Sequence, residues 1–403
     1  MARSARERSR QATILVMPEL PEVETIARDL RGLVVGARVV SAECNWPRTI
    51  RSHSPEGFAS AIAGRGIEGV GRRGKQLLVW LGPRGEAERP PEPSLPPAAL
   101  SPGDSLVPEG PAVMTVHLKM TGQLFVVPPE TPRDPHFHLV LGLADGRELR
   151  FRDIRKFGRI GLYRRDPATG EPVEGAAVGV LARGPEPLAE AFTARRLREL
   201  LGARRGRLKS LLLNQDFVAG VGNIYADEAL WRARLHPLRD ASTLRPADAA
   251  RLHRALRDVL AEAVERRGSS VDDYTAPQGD GSMQEHLQVY QRAGEPCERC
   301  GRSIRRIVVG GRATHFCSWC QRLPRGMSHP AVTEVGATSA EKPRRGPRWV
   351  ELDGAGALGR SASEEEAAEA RKRRIEANRR AAATRRLAAR TGSTGRPTGT
   401  GAV

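Results

Sequence analysis

The fold is decided by a stretch that opens a helical pattern, Met17-Pro18-Glu19-Leu20-Pro21-Glu22-Val23-Glu24-Thr25. Apolar side chains follow at i, i+3, i+4 and i+7, at Val23, Ile26, Ala27 and Leu30, and Gly32 can end the helix. Proline in the first turn and acids near the positive end are ordinary features of a helix start. On composition alone, the stretch predicts a helix beginning beside Pro18 and nothing more.

Met17-Pro18 can also be interpreted as an internal translation start. If the chain begins at Met17 and that methionine is trimmed, Pro18 carries a free secondary amine. Such an amine can attack an electrophilic sugar carbon and form an iminium link. Glu19 and Glu22 would then lie beside it as acid or base candidates. With residues 1–17 attached, the Pro18 nitrogen is an amide and cannot act as a nucleophile.

The extension before Met17 is itself informative. Residues 1–16 hold four arginines but only a three-residue apolar run, Ile14-Leu15-Val16, which is too short for a signal peptide. A mis-set start codon or a cleaved leader explains these residues more simply.

The chain is strongly basic. Its 403 residues, enough for two or three domains, carry a net charge of +18. Residues 341–403 hold 15 Lys and Arg against 8 Asp and Glu, so the remainder, with 50 against 39, keeps a charge of +11. A basic body favours nucleic acid as the partner through phosphate contacts. An anionic membrane is the alternative, but we find no basic amphipathic helix beside a lipid-anchor motif and no membrane-spanning apolar run.

The chain divides by composition into five segments. Short apolar runs broken by Gly and Pro predict strands in residues 33–81 and again from 113 to 151, with a hairpin turn at Asp145-Gly146. Helical patterns dominate up to residue 267, most clearly over 246–266. The predicted segments are an extension (1–17), a β-rich domain with one helix at its start (18–180), a helical domain (185–282), a cysteine module (283–322) and a tail (323–403). We expect disorder in the Pro- and Glu-rich insertion 82–111 and in the basic tail.

The strongest local signal is the spacing of four cysteines, Cys297-x-x-Cys300 and Cys317-x-x-Cys320. Two such pairs predict a closed four-sulfur zinc site, which is structural because no ligand position stays open. A four-iron cluster or two disulfides are the alternatives. Five cysteines are too few for a disulfide scaffold, and Cys44 is expected to be a small buried apolar residue.

Basic and glycine-rich turns carry the remaining signals. Gly310-Gly311 predicts a hairpin turn in the cysteine module, and Arg312 beside it could enter a nucleic-acid groove or simply be solvated. Gly220-Val221-Gly222-Asn223 leads into a helix whose first amides suit a phosphate, although the same turn occurs in plain helix corners. Met120 and Phe157 stand near basic residues and could fill a gap in a base stack, or could be core residues.

These motifs together, in this order, resemble those of the formamidopyrimidine-DNA glycosylases, bacterial base-excision repair enzymes that remove oxidised purines. The resemblance covers about residues 17–322, and Leu20 favours this type over the related endonuclease VIII type. It implies an α+β fold. An antiparallel β-sandwich flanked by helices is followed by a helix-two-turn-helix domain and a four-cysteine zinc-finger hairpin with one structural Zn²⁺.

The resemblance also implies a role for each matching residue. Pro18 would be the nucleophile at the C1′ sugar carbon, Glu19 the acid or base that assists ring opening, and Glu22 a carboxylate holding the terminal amine. Lys75 would serve β-elimination and Arg312 δ-elimination. DNA contacts would come from His136, Arg155, Arg204, Lys209 and Asn223. Met120, Arg155 and Phe157 would fill the hole left by the flipped base, under a mobile loop at 268–283.

The expected protein is thus a bifunctional DNA glycosylase/AP lyase acting as a monomer on damaged double-stranded DNA, in the cytoplasm and at the nucleoid of a bacterium. Two alternatives remain open. A non-catalytic protein on the same scaffold would bind distorted or abasic DNA if the chain begins at Met1. An endonuclease VIII-like enzyme would prefer oxidised pyrimidines.

Overall fold

The computed structural model describes residues 17–84, 110–173, 181–269 and 281–323. Most of the extension, the insertion and the tail, and residues 270–280 of the predicted mobile loop, lie outside these ranges. Within the described residues, no helix combines the length and apolar character needed to cross a bilayer.

A β-sandwich forms the first half of the described chain. One sheet has the order β1-β6-β7-β5 and the other the order β2-β3-β4-β8, and every pairing within them is antiparallel. The strands are β1 (Val39–Cys44), β2 (Arg65–Arg73), β3 (Gln76–Arg84), β4 (Ala112–His117), β5 (Gly122–Val127), β6 (Phe137–Leu143), β7 (Glu148–Asp153) and β8 (Arg159–Arg164).

Helix α1 (Leu20–Val34) closes the sandwich at one side. Its apolar face buries Val23, Ile26 and Leu30 in the same core as the sheets. The helix continues past Gly32, so the strand predicted at Val34-Val35 is wrong: Val34 ends the helix and Val35 is its C-cap.

A second helix, α2 (Pro55–Ile62), lies in the region predicted to contain strands only. Ser54 caps it by accepting a 3.0 Å hydrogen bond from the Gly57 amide, and Phe58 and Ile62 are buried. The prediction of a single helix in the first domain is therefore wrong. The signal was present in the sequence, because Ser-Pro-Glu is a typical N-cap, first-turn proline and first-turn acid.

The second half is helical and ends in a hairpin. The helices are α3 (Ala194–Gly202), α4 (Leu208–Leu213), α5 (Asn223–Ala233) and α6 (Pro246–Glu265), and they enclose a separate apolar core. Strands β9 (Arg305–Val309) and β10 (Arg312–Phe316) pair antiparallel around Gly310-Gly311, as predicted. The predicted α+β class is confirmed, as are the hairpin at Asp145-Gly146 and the long helix α6.

Candidate active site

The start of α1 lies against the turn that precedes α5. Pro18 is buried, and the Leu20 amide donates a 3.0 Å hydrogen bond to the Gly220 carbonyl. The Glu19 amide donates to the Glu22 carboxylate at 2.9 Å, which fixes the first turn of α1. Residues about 200 positions apart therefore meet at one point, between the β-sandwich and the helical domain.

The Glu19 carboxylate occupies the N-terminus of α5. It accepts hydrogen bonds from the amides of Ile224 at 2.9 Å and Tyr225 at 3.4 Å. The suggestion that these first amides would hold a phosphate is wrong, because a side chain of the same protein already takes them. Helix N-termini favour such an anion through their exposed N–H groups and dipole.

Gly222 lets these groups approach each other. A Cβ at this position would overlap the Glu19 carboxylate and lie 2.6 Å from the Lys75 ammonium nitrogen. Any side chain here would push apart the two residues predicted to perform acid–base chemistry, so the glycine is needed for the site itself and not only for its turn.

The pKa of Glu19 is raised from 4.5 to about 7, chiefly because burial removes the carboxylate from water. The side chain is only 2 % exposed. Lys75 opposes the shift, and the nearby Glu22 adds to it. A carboxyl group that titrates near neutral pH can both donate and accept a proton under physiological conditions, which is what an acid–base catalyst requires.

One oxygen of the Glu22 carboxylate accepts three hydrogen bonds. Its Oε1 accepts hydrogen bonds from the Tyr225 hydroxyl at 2.5 Å, the Ser269 amide at 2.9 Å and the Ser269 hydroxyl at 3.1 Å. Burial and the two neighbouring glutamates raise the pKa of Tyr225 well above its usual value, so its hydroxyl stays a donor. Glu22 is therefore a fixed acceptor in the first turn of α1.

Lys75 reaches the site from the tight β2–β3 turn. Gly74 adopts a left-handed conformation there, with φ of +58°, and its amide donates to Glu186 at 2.5 Å. Burial lowers the pKa of Lys75, although Glu19 and Glu22 oppose the shift. A lowered pKa increases the fraction of neutral amine, the form able to accept a proton.

Arg312 is exposed at the start of β10, and two residues of α5 anchor its hairpin. Asn223 donates a 3.0 Å hydrogen bond to the Ala313 carbonyl, and Asp227 accepts one of 2.8 Å from the His315 amide. The Arg312 charge contributes to lowering the pKa of Lys75.

Lys209 is fully buried, unlike the other predicted DNA contacts. Its ammonium donates to Asp227 at 2.7 Å and to the Asn223 carbonyl at 2.9 Å. The phosphate contact assigned to it stays a prediction, since in this conformation its hydrogen bonds go to protein atoms.

The residues predicted to fill the hole left by the flipped base, Met120, Arg155 and Phe157, lie on two neighbouring loops. We call them the wedge residues. Met120 is half-buried on the β4–β5 loop, while Arg155 and Phe157 are exposed on the β7–β8 loop. The Arg155 guanidinium lies 5.1 Å from the Phe157 ring centre. Phe157 is 45 % exposed, so core packing does not account for it. His136 is half-buried on the β5–β6 loop, and Arg204 is exposed after α3.

A residue without a role in the sequence analysis also belongs to this region. His117 ends β4 and lines a cavity of about 360 Å³ together with Lys75, Lys119, Arg73 and Arg183. Burial, Lys119 and Lys75 lower the pKa of His117 to about 3, so its ring is neutral at physiological pH. The cavity is basic and suits an anion.

The four cysteines of the hairpin module form one cluster. All four sulfurs lie within 4.8 Å of one another, with Cys297 to Cys320 at 4.0 Å and Cys300 to Cys317 at 3.5 Å. Tetrahedral zinc with bonds of about 2.3 Å separates its sulfurs by about 3.8 Å, so the cluster fits one Zn²⁺ without an open position. All four are free thiols, which argues against two disulfides.

Comparison with known families supports this arrangement. Three family profiles match: the formamidopyrimidine-DNA glycosylase N-terminal domain over residues 17–160, the H2TH domain of that glycosylase over 183–275, and the zinc finger found in FPG and IleRS over 294–323. A formamidopyrimidine-DNA glycosylase of Symbiobacterium thermophilum is 44 % identical over 77 % of this chain and 92 % of its own length. One of Roseiflexus sp. is 44 % identical over 76 % of this chain and its entire length. The chain belongs to the formamidopyrimidine-DNA glycosylase family.

Solved structures of that family share the fold. Lactococcus lactis Fpg in complex with DNA containing N7-benzyl-Fapy-dG is 34 % identical, with a TM-score of 0.64, and it covers 76 % of this chain. Lactococcus lactis Fpg bound to DNA with an abasic site gives a TM-score of 0.63 at the same identity and coverage. The resemblance inferred from the motifs, the helix-two-turn-helix domain and the zinc-finger module are thereby confirmed.

Proposed function

We propose that this chain is a bifunctional DNA glycosylase/AP lyase that removes 8-oxoguanine and formamidopyrimidines from duplex DNA. The observation that carries the proposal is the buried Glu19 carboxyl, with its pKa raised to about 7, which directly follows Pro18 in the chain and lies close to Lys75. A buried carboxyl group with a pKa shifted toward neutrality, close to a lysine whose pKa is lowered, is typical of a catalytic site.

Base removal uses Pro18 and Glu19. The free amine of Pro18 attacks C1′, the bond from C1′ to the base breaks, and the electron pair leaves with the base, which takes up the proton that the Pro18 nitrogen loses. Glu19 protonates the ring oxygen of the sugar, the ring opens, and the nitrogen and C1′ become an iminium. A terminal α-amine titrates near pH 8, about two units below lysine, so more of it is unprotonated at neutral pH.

Strand cleavage uses the iminium as an electron sink. A base removes a C2′ proton, and the 3′ phosphate leaves in β-elimination; a second elimination releases the 5′ phosphate. The lowered pKa of Lys75 supports its role in the first step. Arg312, exposed on a hairpin anchored to α5, is suited to bind the phosphate that leaves in the second.

DNA is held by groups from both halves of the chain. A glycosylase must flip its nucleotide out of the stack, at a cost offset by wedge insertion and backbone contacts. The exposed Phe157 and Arg155, with Met120 on the adjoining loop, are suited to fill the vacated space. His136, Arg204 and Asn223 are the further groups proposed to contact phosphates, and the basic cavity beside Lys75 suits one as well. We propose that the protein acts as a monomer, at the bacterial nucleoid.

The mechanism requires Pro18 to be the mature N-terminus. The N-terminal family profile begins at residue 17, which supports a start at Met17. The test is N-terminal sequencing of the native protein, followed by borohydride reduction with 8-oxoguanine DNA. We expect a chain beginning at Pro18 that forms a covalent adduct, and a Pro18→Gly variant that binds DNA but loses most of the adduct. An active enzyme that retains residues 1–16 would overturn the Schiff-base mechanism. A protein that retains them, binds damaged DNA and has no activity would favour the non-catalytic alternative.

Substrate preference needs its own measurement. Competition between 8-oxoguanine and thymine glycol in otherwise identical duplexes separates purine from pyrimidine specificity. We expect 8-oxoguanine to be excised preferentially. Preference for thymine glycol would assign the chain an endonuclease VIII-like activity on the same scaffold.

A further inference from the structure

One buried carboxylate joins the loops that carry the wedge residues. Asp153 ends β7 and is 1 % exposed. Its Oδ1 accepts hydrogen bonds from the Thr121 hydroxyl at 2.5 Å and the Arg155 amide at 3.2 Å. Its Oδ2 accepts one of 2.6 Å from the Gly158 amide. Thr121 follows Met120 on one loop, while Arg155 and Gly158 flank Phe157 on the other.

The backbone of Asp153 extends the connection to a third loop. Its amide donates to the His136 carbonyl at 2.9 Å, and its own carbonyl accepts from the Lys156 amide at 3.2 Å. Thr121 adds a further bridge, since its hydroxyl oxygen accepts from the Arg155 amide at 3.1 Å. The loops bearing Met120, Phe157 and His136 are thus all tied to one residue.

Both wedge loops contain a turn that needs such support. Lys119, directly before Met120, has φ of +57°, and Lys156, directly before Phe157, has φ of +59°. Left-handed backbone is unfavourable for residues with a Cβ and persists where surrounding bonds impose it. The Asp153 carboxylate binds Thr121, two residues after Lys119, and Gly158, two residues after Lys156, and the Phe157 ring beside them is exposed.

We propose that Asp153 is the positioning residue that holds Met120 and the Arg155–Phe157 pair in register, so that both loops enter the base stack as one wedge. Separate loops would each lose conformational entropy on insertion, whereas loops tied to a common carboxylate are already ordered. The inference rests on the proposed function, because it assumes that these residues replace a flipped base.

The test compares Asp153→Asn with Asp145→Asn, which changes an exposed aspartate at the other end of β7. Both are made in the complete chain with its native translation start. Asp153→Asn replaces one carboxylate oxygen with an NH2 group. Each oxygen now accepts from a backbone amide, and NH2 cannot accept, so at least one hydrogen bond to a wedge loop is lost. Local unstacking is followed by the fluorescence of 2-aminopurine placed beside 8-oxoguanine, and base excision is measured in single turnover.

We expect Asp153→Asn to slow both unstacking and excision by about tenfold, the order expected for a buried donor left without its acceptor. Adduct formation at a preformed abasic site, where no damaged base has to be displaced, should change far less. Thr121→Val should slow unstacking and excision in the same way, whereas Thr121→Ser, which keeps the hydroxyl, should not. If Asp153→Asn fails to fold, the comparison of these two variants tests the proposal. Unstacking at the wild-type rate in a folded Asp153→Asn or Thr121→Val protein would overturn the proposal. If the wild-type protein itself does not excise 8-oxoguanine, the proposed function fails instead.

Discussion

The Glu19 carboxylate accepts a 2.9 Å hydrogen bond from the amide of Ile224, 205 residues further along the chain. This contact connects the first turn of α1 to the first turn of α5. It holds the carboxyl group proposed as the acid–base catalyst in place, because the helix start offers two amides and Gly222, which lacks a Cβ, lets the carboxylate approach them.

Glu19→Gln should separate the two activities. The amide keeps the shape of the side chain but cannot donate an acidic proton, and general acid–base catalysis contributes about 10²–10⁴-fold to a rate. We expect base excision to fall by about that factor while a borohydride-trapped adduct still forms with abasic DNA, whose sugar opens to the aldehyde without an acid catalyst from the protein. Glu43→Gln, an exposed glutamate of β1, is the control and should retain both activities. Equal loss of excision and trapping would show that Glu19 acts on the amine instead.

The raised pKa of Glu19 predicts how excision and stability depend on pH. Excision needs both the acid form of Glu19 and the free amine of Pro18, which titrates near pH 8, so the single-turnover excision rate should peak between about pH 7 and 8 and fall on either side. Because the folded carboxyl holds its proton up to about pH 7 while the unfolded one releases it near 4.5, the folded state binds more protons in that window. The free energy of unfolding should therefore decrease as the pH rises from 4.5 to 7, by about 3 kcal/mol. Urea unfolding across this range measures the effect, and Glu19→Gln should lack it.

Cys297→Ser should release the metal and loosen the hairpin that carries Arg312. Cys297 also accepts a 3.5 Å hydrogen bond from the Trp231 indole, so Trp231 fluorescence reports the change. We expect the zinc content to fall below one per chain and DNA affinity to drop, since a structural zinc supplies folding energy to its module. Cys44→Ser, outside the cluster, should keep its zinc. Unchanged affinity in a zinc-free protein would contradict a structural role.

Much of this fold was visible in the sequence because the deciding contacts were local. Helix α6, both hairpin turns and the cysteine cluster depend on residues within about twenty positions of one another. The site depends on distant ones. Nothing local to PELPEVET indicates that Glu19 will cap α5, and the phosphate suggested for that helix start was wrong for this reason. The pKa of Glu19 is raised mainly by burial, and its burial depends on the packing of the β-sandwich against the helical domain, which the local sequence does not reveal.

Residues 85–109 of the insertion should be removable, because Arg65 connects the backbone segments before and after them. The buried Arg65 guanidinium donates to the carbonyls of Gly82 and Gly110 at 2.8 Å each, on either side of residues 85–109. The β3–β4 ladder continues to the pair Leu81 and Ala112. Replacing 85–109 with a short Asn-Gly turn should leave excision unchanged and raise the free energy of unfolding by about 2 kcal/mol at most, since loop closure changes by about 0.6 kcal/mol per twofold change in length and the loop shortens by between three and four such steps.

Arg65→Met provides the contrast. Arg65 also donates to the Ala61 carbonyl at 2.7 Å, so three acceptors lose their donor. At about 1–3 kcal/mol for each buried group left unpaired, we expect a loss of at least about 3 kcal/mol in urea unfolding. A large loss of stability on deleting the insertion, with Arg65 intact, would show that those residues support the sandwich themselves.

Lys209 offers a test between a structural role and a phosphate contact. Its buried pair with Asp227 joins α4 to α5, and Asp227 in turn holds the amide of His315 on the Arg312 hairpin. Lys209→Met leaves a buried carboxylate uncompensated, which costs about 3–5 kcal/mol, and the double variant with Asp227→Leu should recover part of this. A lysine that contacts phosphate would also reduce the slope of log affinity against log salt by about 0.9. We expect lower stability with an unchanged salt slope, whereas a reduced slope at unchanged stability would assign Lys209 to the DNA backbone.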